Sequence, residues 1–184
     1  ISGKEGVGSL VGYAEGSAIS KCFTSGSVTG TTWSLGGLIG LNGYSTTVSN
    51  CYSTCNVSGV NGVGGLVGNN TSSTVTKCYS TGIVNGSGSY IGGLIGGFGS
   101  SSNCFWDTQT SGTSSSSAGT GKTTAQMKDR TTFTTVGWDF KEETANGTDD
   151  IWNIGNSRND GYPYFDWQYP SDPVIEPCTL TTED

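Results

Sequence analysis

Gly64-Gly65-Leu66-Val67-Gly68 returns as Gly36-Gly37-Leu38-Ile39-Gly40, as Gly92-Gly93-Leu94-Ile95-Gly96 and, in a weaker form, as Gly8-Ser9-Leu10-Val11-Gly12. The copies start at 8, 36, 64 and 92, a period of 28. A second block follows each copy: Lys21-Cys22-Phe23-Thr24-Ser25-Gly26-Ser27-Val28, Asn50-Cys51-Tyr52-Ser53-Thr54-Cys55-Asn56-Val57 and Lys77-Cys78-Tyr79-Ser80-Thr81-Gly82-Ile83-Val84, with a degraded copy opening at Asn103-Cys104-Phe105. A fixed period of this length marks stacked repeats, in which one unit cannot bury its apolar row without a neighbour.

Within the second block, alternation places Cys78, Ser80, Gly82 and Val84 on one strand face and Tyr79, Thr81 and Ile83 on the other. Val28, Val57 and Val84 are uniformly apolar while Ser27, Asn56 and Ile83 vary, so the Cys and Val face is inward. Phe23, Tyr52, Tyr79 and Phe105 then form an outward aromatic ladder. Leu10, Leu38, Leu66 and Leu94 form an inner ladder, and Ile19, Val48 and Val75 a third row. The expectation is an all-β solenoid, one coil per repeat at about 4.8 Å per coil; a four-repeat propeller or prism is the alternative geometry.

These two blocks resemble the GLUG motif, a repeat of large secreted and cell-surface proteins of bacteria and archaea. The resemblance implies a β-solenoid scaffold outside the cell and names no ligand.

Thirty-one glycines and a mean hydropathy of -0.27 would suggest disorder in an aperiodic chain, but here glycine recurs in register with leucine. Residues 1–103 carry a net charge of +1, leaving -8 for the remainder. With no basic patch, nucleic acid is not an expected partner. No apolar run reaches the length of a membrane span and no signal peptide is visible, so membrane insertion is not expected either. The chain therefore divides into a repeat solenoid at 1–103, an aromatic-rich C-terminal cap at 104–165 and an extended acidic, proline-containing tail or linker at 166–184. Within the cap, Thr108 to Gly121 reads as a low-complexity loop. Thr123-Thr124-Ala125-Gln126 reads as a capping box opening one short helix near 123–130.

Candidate sites are sparse. Asn56, Asn69, Asn70, Asn85 and Asn146 head Asn-x-Ser/Thr sequons and are glycosylation candidates. Four cysteines share a repeat position and read as a buried ladder of free thiols. Cys55 and Cys178 fall outside that register and are the candidate disulfide. No zinc site is expected, since there is no histidine and no Cys-x-x-Cys spacing. Asp139, Glu142, Glu143, Asp149, Asp150 and Asp160 could offer oxygens to Ca²⁺, although no twelve-residue calcium loop is present. No cofactor is otherwise expected.

Gly121-Lys122-Thr123 ends like a phosphate loop, but Ser116 stands where its first glycine belongs. The repeats offer two glutamates, three lysines and no arginine, too few for acid and base catalysis, so no enzyme is expected. Trp33, the tryptophan set well inside the repeats, is the candidate ligand contact. The expected function is a non-catalytic, extracellular structural or adhesive module of a cell-surface protein. Its partners would be copies of itself, stacked end to end into a filament, or adjacent repeats and modules; glycan binding on the solenoid flank is the alternative.

Overall fold

The computed structural model describes residues 1–155 and 157–169. Four coils stack in parallel along one axis, each built from five strands of two to four residues. In the second coil these are Ser27–Gly30, Trp33–Gly36, Ile39–Asn42, Thr47–Ser49 and Tyr52–Ser53. Each strand pairs with its counterparts above and below, giving five parallel walls in strict register. Ile39 aligns with Val11 and Val67, Val48 with Ile19 and Val75, and Tyr52 with Phe23 and Tyr79. Equivalent side chains lie above one another, so the propeller and prism alternatives are excluded.

The glycines of the repeat block are dictated by contact distance. A Cβ on Gly64 would stand 1.9 Å from the Val67 carbonyl oxygen, because the second and third walls meet in a turn too tight for a side chain. On Gly65 it would stand 2.2 Å from the Gly93 carbonyl oxygen of the next coil, with Ser80 also in the way. Ser80 Oγ donates to the Gly93 carbonyl at 2.7 Å, and Thr24 Oγ1 to that of Gly37 at 2.8 Å. The fifth wall thus presses against the glycine turn and pinches each coil.

That pinch divides the interior into two cores. One holds Leu38, Leu66 and Leu94 with Ile39, Val67 and Ile95, Val48 and Val75, and the thiols of Cys51, Cys78 and Cys104. The other holds Val7, Val28, Val57 and Val84 with Leu35, Val63 and Cys55. The inner and outer assignments of Cys, Val and Leu hold except at Leu10, which is exposed on the face of coil one, and the Cys and Val columns face separate cores. Left-handed residues turn the corners at the same place in successive coils. Lys21, Asn50, Lys77 and Asn103 have φ of +53°, +49°, +50° and +53°, which sets each following cysteine inward.

The C-terminal segment performs two tasks. Residues 113–122, read from sequence as a loop, lie across the fourth coil as an incomplete fifth. Ser115 accepts from Gly93 N at 2.9 Å, Ser117 N donates to Ile95 O at 3.0 Å, and the strand Thr120–Lys122 pairs with Phe105–Asp107. Alternating serines supply the backbone and hydroxyl bonds that end strands need. The remainder packs on the flank.

The expected single helix near 123–130 is two. α2 (Thr124–Met127) opens on the Thr123/Gln126 capping box, and α3 (Arg130–Thr134) is capped by Asp129; α1 (Thr108–Ser111) precedes both. Met127, Phe133, Trp138, Phe140, Trp152, Tyr162 and Phe165 then cover the aromatic ladder, burying Tyr52, Tyr79 and Phe105 in a third core. The ladder points away from the coil interior as expected, yet of its four rings only Phe23 stays exposed.

Candidate functional site: an aromatic shelf at a solenoid corner

Trp33 begins the second wall of coil two and is 39% exposed. Its neighbour is Tyr90 of coil four, 46% exposed, with ring centroids 5.8 Å apart and planes tilted by 45°. Tyr90 in turn lies 5.1 Å from Phe98, 54% exposed, at an interplanar angle of 30°. Coil three makes this contact across two coils feasible. Asn61 occupies the position of Trp33, Gly62 precedes Val63 as Tyr90 precedes Ile91, and neither is bulky enough to part the rings.

Tyr90 and Phe98 are themselves corner residues, at φ of +63° and +58°. The equivalents of Tyr90 are Gly6, Ser34 and Gly62, also left-handed, and the equivalents of Phe98 are Ser45 and Ser72. Beneath the shelf lies Asn69, 6% exposed. Its Nδ2 donates to Ser34 Oγ at 2.7 Å while its Oδ1 has no partner and lies beside Gly97 and the Cβ of Tyr90.

The other candidates fall elsewhere. Asn56 and Asn85 are exposed on the first wall. Asn69 and Asn70 are corrections, because both are buried. Asn70 accepts from Asn42 Nδ2 at 2.7 Å and donates to the Ser73 and Ser100 carbonyls, so its amide has no access to a sugar donor. Asn146 Nδ2 is committed to the carbonyls of Thr134 and Trp138. Cys55 is a free thiol in the second core, beside Val57 and Leu35, and Cys178 lies outside the described residues.

The four repeat thiols form a hydrogen-bonded column. Each donates to the carbonyl two residues earlier, at 3.2 to 3.3 Å, while Cys78 and Cys104 sulfurs accept from Cys51 N and Cys78 N. Burial pushes the Cys78 thiol well above its ordinary range.

The acidic residues proposed for Ca²⁺ do not converge. Glu143 is occupied by backbone N–H groups of Phe140, Ala145 and Asn146, and Asp139 Oδ2 by Asp149 N. Among the described residues no three carboxylate or thiol groups gather in a way that could hold a metal ion. On the flank, burial raises Tyr52 to about 12; burial and then the Asp107 carboxylate raise Tyr162 to about 12. Tyr162 donates to Asp107 Oδ2 at 2.7 Å, and Tyr52 to Gln168 Oε1 at 2.9 Å.

No described helix is long and apolar enough to cross a membrane. No solved structure matches the chain. A protein of Evansella cellulosilytica, provisionally named as a Gly-rich membrane protein, is 42% identical over 111 residues. The match covers 56% of this chain and 12% of the relative, so the chain corresponds to a small part of that protein. Residues 3–29, 31–58 and 59–85 match the GLUG motif, each taking up one turn of the stack. The fourth coil is the degraded copy, with Ser101 where Val48 and Val75 stand. The chain therefore carries three GLUG motifs, wound as successive coils of a β-solenoid.

Proposed function

We propose that this chain is a non-catalytic module of a bacterial or archaeal surface protein, in which stacked coils hold binding surfaces at fixed spacing. The observation that carries the reading is the parallel, in-register stack of GLUG coils, whose interior is filled by apolar side chains and thiols. A relative named as a membrane protein supports a surface setting. Immunolabelling of intact and permeabilised cells expressing the full-length protein tests this. Equal labelling of both is expected, and labelling confined to permeabilised cells would sink the surface reading.

Adhesive assembly is the finer part of the proposal. The face of coil one leaves Leu10 47% exposed, although its counterparts Leu38, Leu66 and Leu94 are fully buried. Another coil, from a second copy or from adjacent repeats of the same surface protein, stacks on this face. Light scattering of the purified chain should show association that grows with concentration, and Leu10→Asp should abolish it. A chain that stays monomeric at every concentration removes the end-to-end version.

A further inference from the structure

We propose that the Trp33–Tyr90–Phe98 shelf binds an uncharged polysaccharide, with sugar rings laid against the aromatic faces. The inference deepens the surface-module reading and rests on it only for where the protein would meet its ligand.

Two observations converge. The first is where the rings stand. A left-handed corner favours glycine or a small polar residue, and bulky residues there are outliers. The stack places Gly or Ser at such corners in its other coils, but Tyr90 and Phe98 in coil four. Neither ring recovers the strain by entering a core, since both are about half exposed. Rings are exposed elsewhere too, at Tyr13, Phe23, Tyr44, Trp167 and Tyr169, but none of those residues is held in the left-handed region. Strained, over-determined residues tend to gather at binding sites.

The second observation is chemical. Pyranose rings present faces of C–H bonds, slightly positive, to the negative face of an aromatic ring, and hydroxyls around their edges. The shelf offers open rings beside the half-buried side chain of Asn61, whose Oδ1 accepts from Ser89 N at 2.8 Å. No exposed Leu, Ile, Val or Met stands among them, unlike a protein-docking patch, which would mix aliphatic residues with the aromatics. Lys4 and Glu5, at the adjoining corner of coil one, cancel in charge, which fits an uncharged ligand.

Affinity electrophoresis of the 184-residue chain in native gels containing a soluble β-1,4-glucan, a β-1,4-mannan, a xylan or an α-1,4-glucan tests the proposal. Retardation by at least one of them is expected, with none by chondroitin sulfate. Trp33→Ala should weaken the retardation at least about fivefold, the scale of one lost aromatic contact. Tyr90→Gly should do the same while leaving Tm unchanged or higher, because glycine relieves the corner; a purely structural tyrosine would lower Tm. Trp167→Ala, an exposed tryptophan on the opposite flank, should change nothing.

Mobility unaffected by all four polysaccharides overturns the proposal, as does retardation that survives Trp33→Ala and Tyr90→Gly or that follows Trp167. A change in oligomeric state on Tyr90→Gly would show the shelf to be an interface between copies, and overturns it too. Failure of cell labelling alone would sink the surface reading and leave this binding result standing.

Discussion

At the scale of single residues, the stack tolerates few substitutions where backbone meets backbone. Gly65→Ala would drive a methyl group into the Gly93 carbonyl and Ser80. An overpacking cost of about 3 kcal/mol follows, read as a lowered urea midpoint. Thiol chemistry should divide by depth. Iodoacetamide under native conditions should modify half-buried Cys22 ahead of Cys51, Cys55, Cys78 and Cys104, which peptide mapping should show protected until the chain is unfolded.

The tyrosines give a pH dependence of definite sign. Tyr52 and Tyr162 hold their protons to about 12 in the folded chain and to about 10 when unfolded. The stability they contribute is therefore intact below about pH 10 and declines as pH rises through 10 toward 12. Urea midpoints measured across that range should fall, and Tyr52→Phe should flatten the slope. Trp33 could be singled out by reading along the repeats because its class was unusual there. Its partners Tyr90 and Phe98 lie in another coil, visible only when residues are compared at the same corner. Asn69 and Asn70 show the converse: a sequon records local chemistry and nothing of the stacking that buries it.

At the scale of elements, alternation within the second block and the recurrence of the first were enough to assign inner and outer faces, since strand side chains alternate and coils repeat. What stayed hidden was closure. The serines of 113–117 carry no apolar pattern, so they read as a loop, whereas their value lies in oxygen atoms placed over coil four. Ser116 Oγ accepts from Leu94 N at 3.3 Å and Ile95 N at 2.9 Å, and donates to Ala118 O at 2.8 Å. Ser116→Ala should cost about 1 to 2 kcal/mol, leaving those N–H groups unmet, and should speed amide exchange at Leu94 and Ile95 before the rest of the stack. The capping box at Thr123 was legible because its residues are adjacent in sequence. The helix break at Lys128–Asp129 was not, because the second cap depends on Asp129 Oδ1 receiving Thr131 N at 2.9 Å.

At the scale of the molecule, the outward ladder was legible and its cover was not, because nothing in the repeats shows that a segment a hundred residues away returns to lie against them. Trp152 contacts the rings of Tyr52 and Tyr79, Trp138 those of Tyr79 and Phe105, and Phe165 those of Phe23 and Tyr52. Trp138→Ala should cost about 3 to 5 kcal/mol. It should also expose Tyr79 to limited proteolysis nearby while the strand signal in far-ultraviolet dichroism persists.

The flank touches one ring from every turn of the winding. A coil pulled from an unbraced spring lets go by itself, one loop after another. Here Phe165, Trp152 and Trp138 act as a splint laid lengthwise across all four loops, so under tension none should yield until the splint detaches. In an optical trap the molecule should rupture in one event, and the Trp138→Ala variant in several smaller steps.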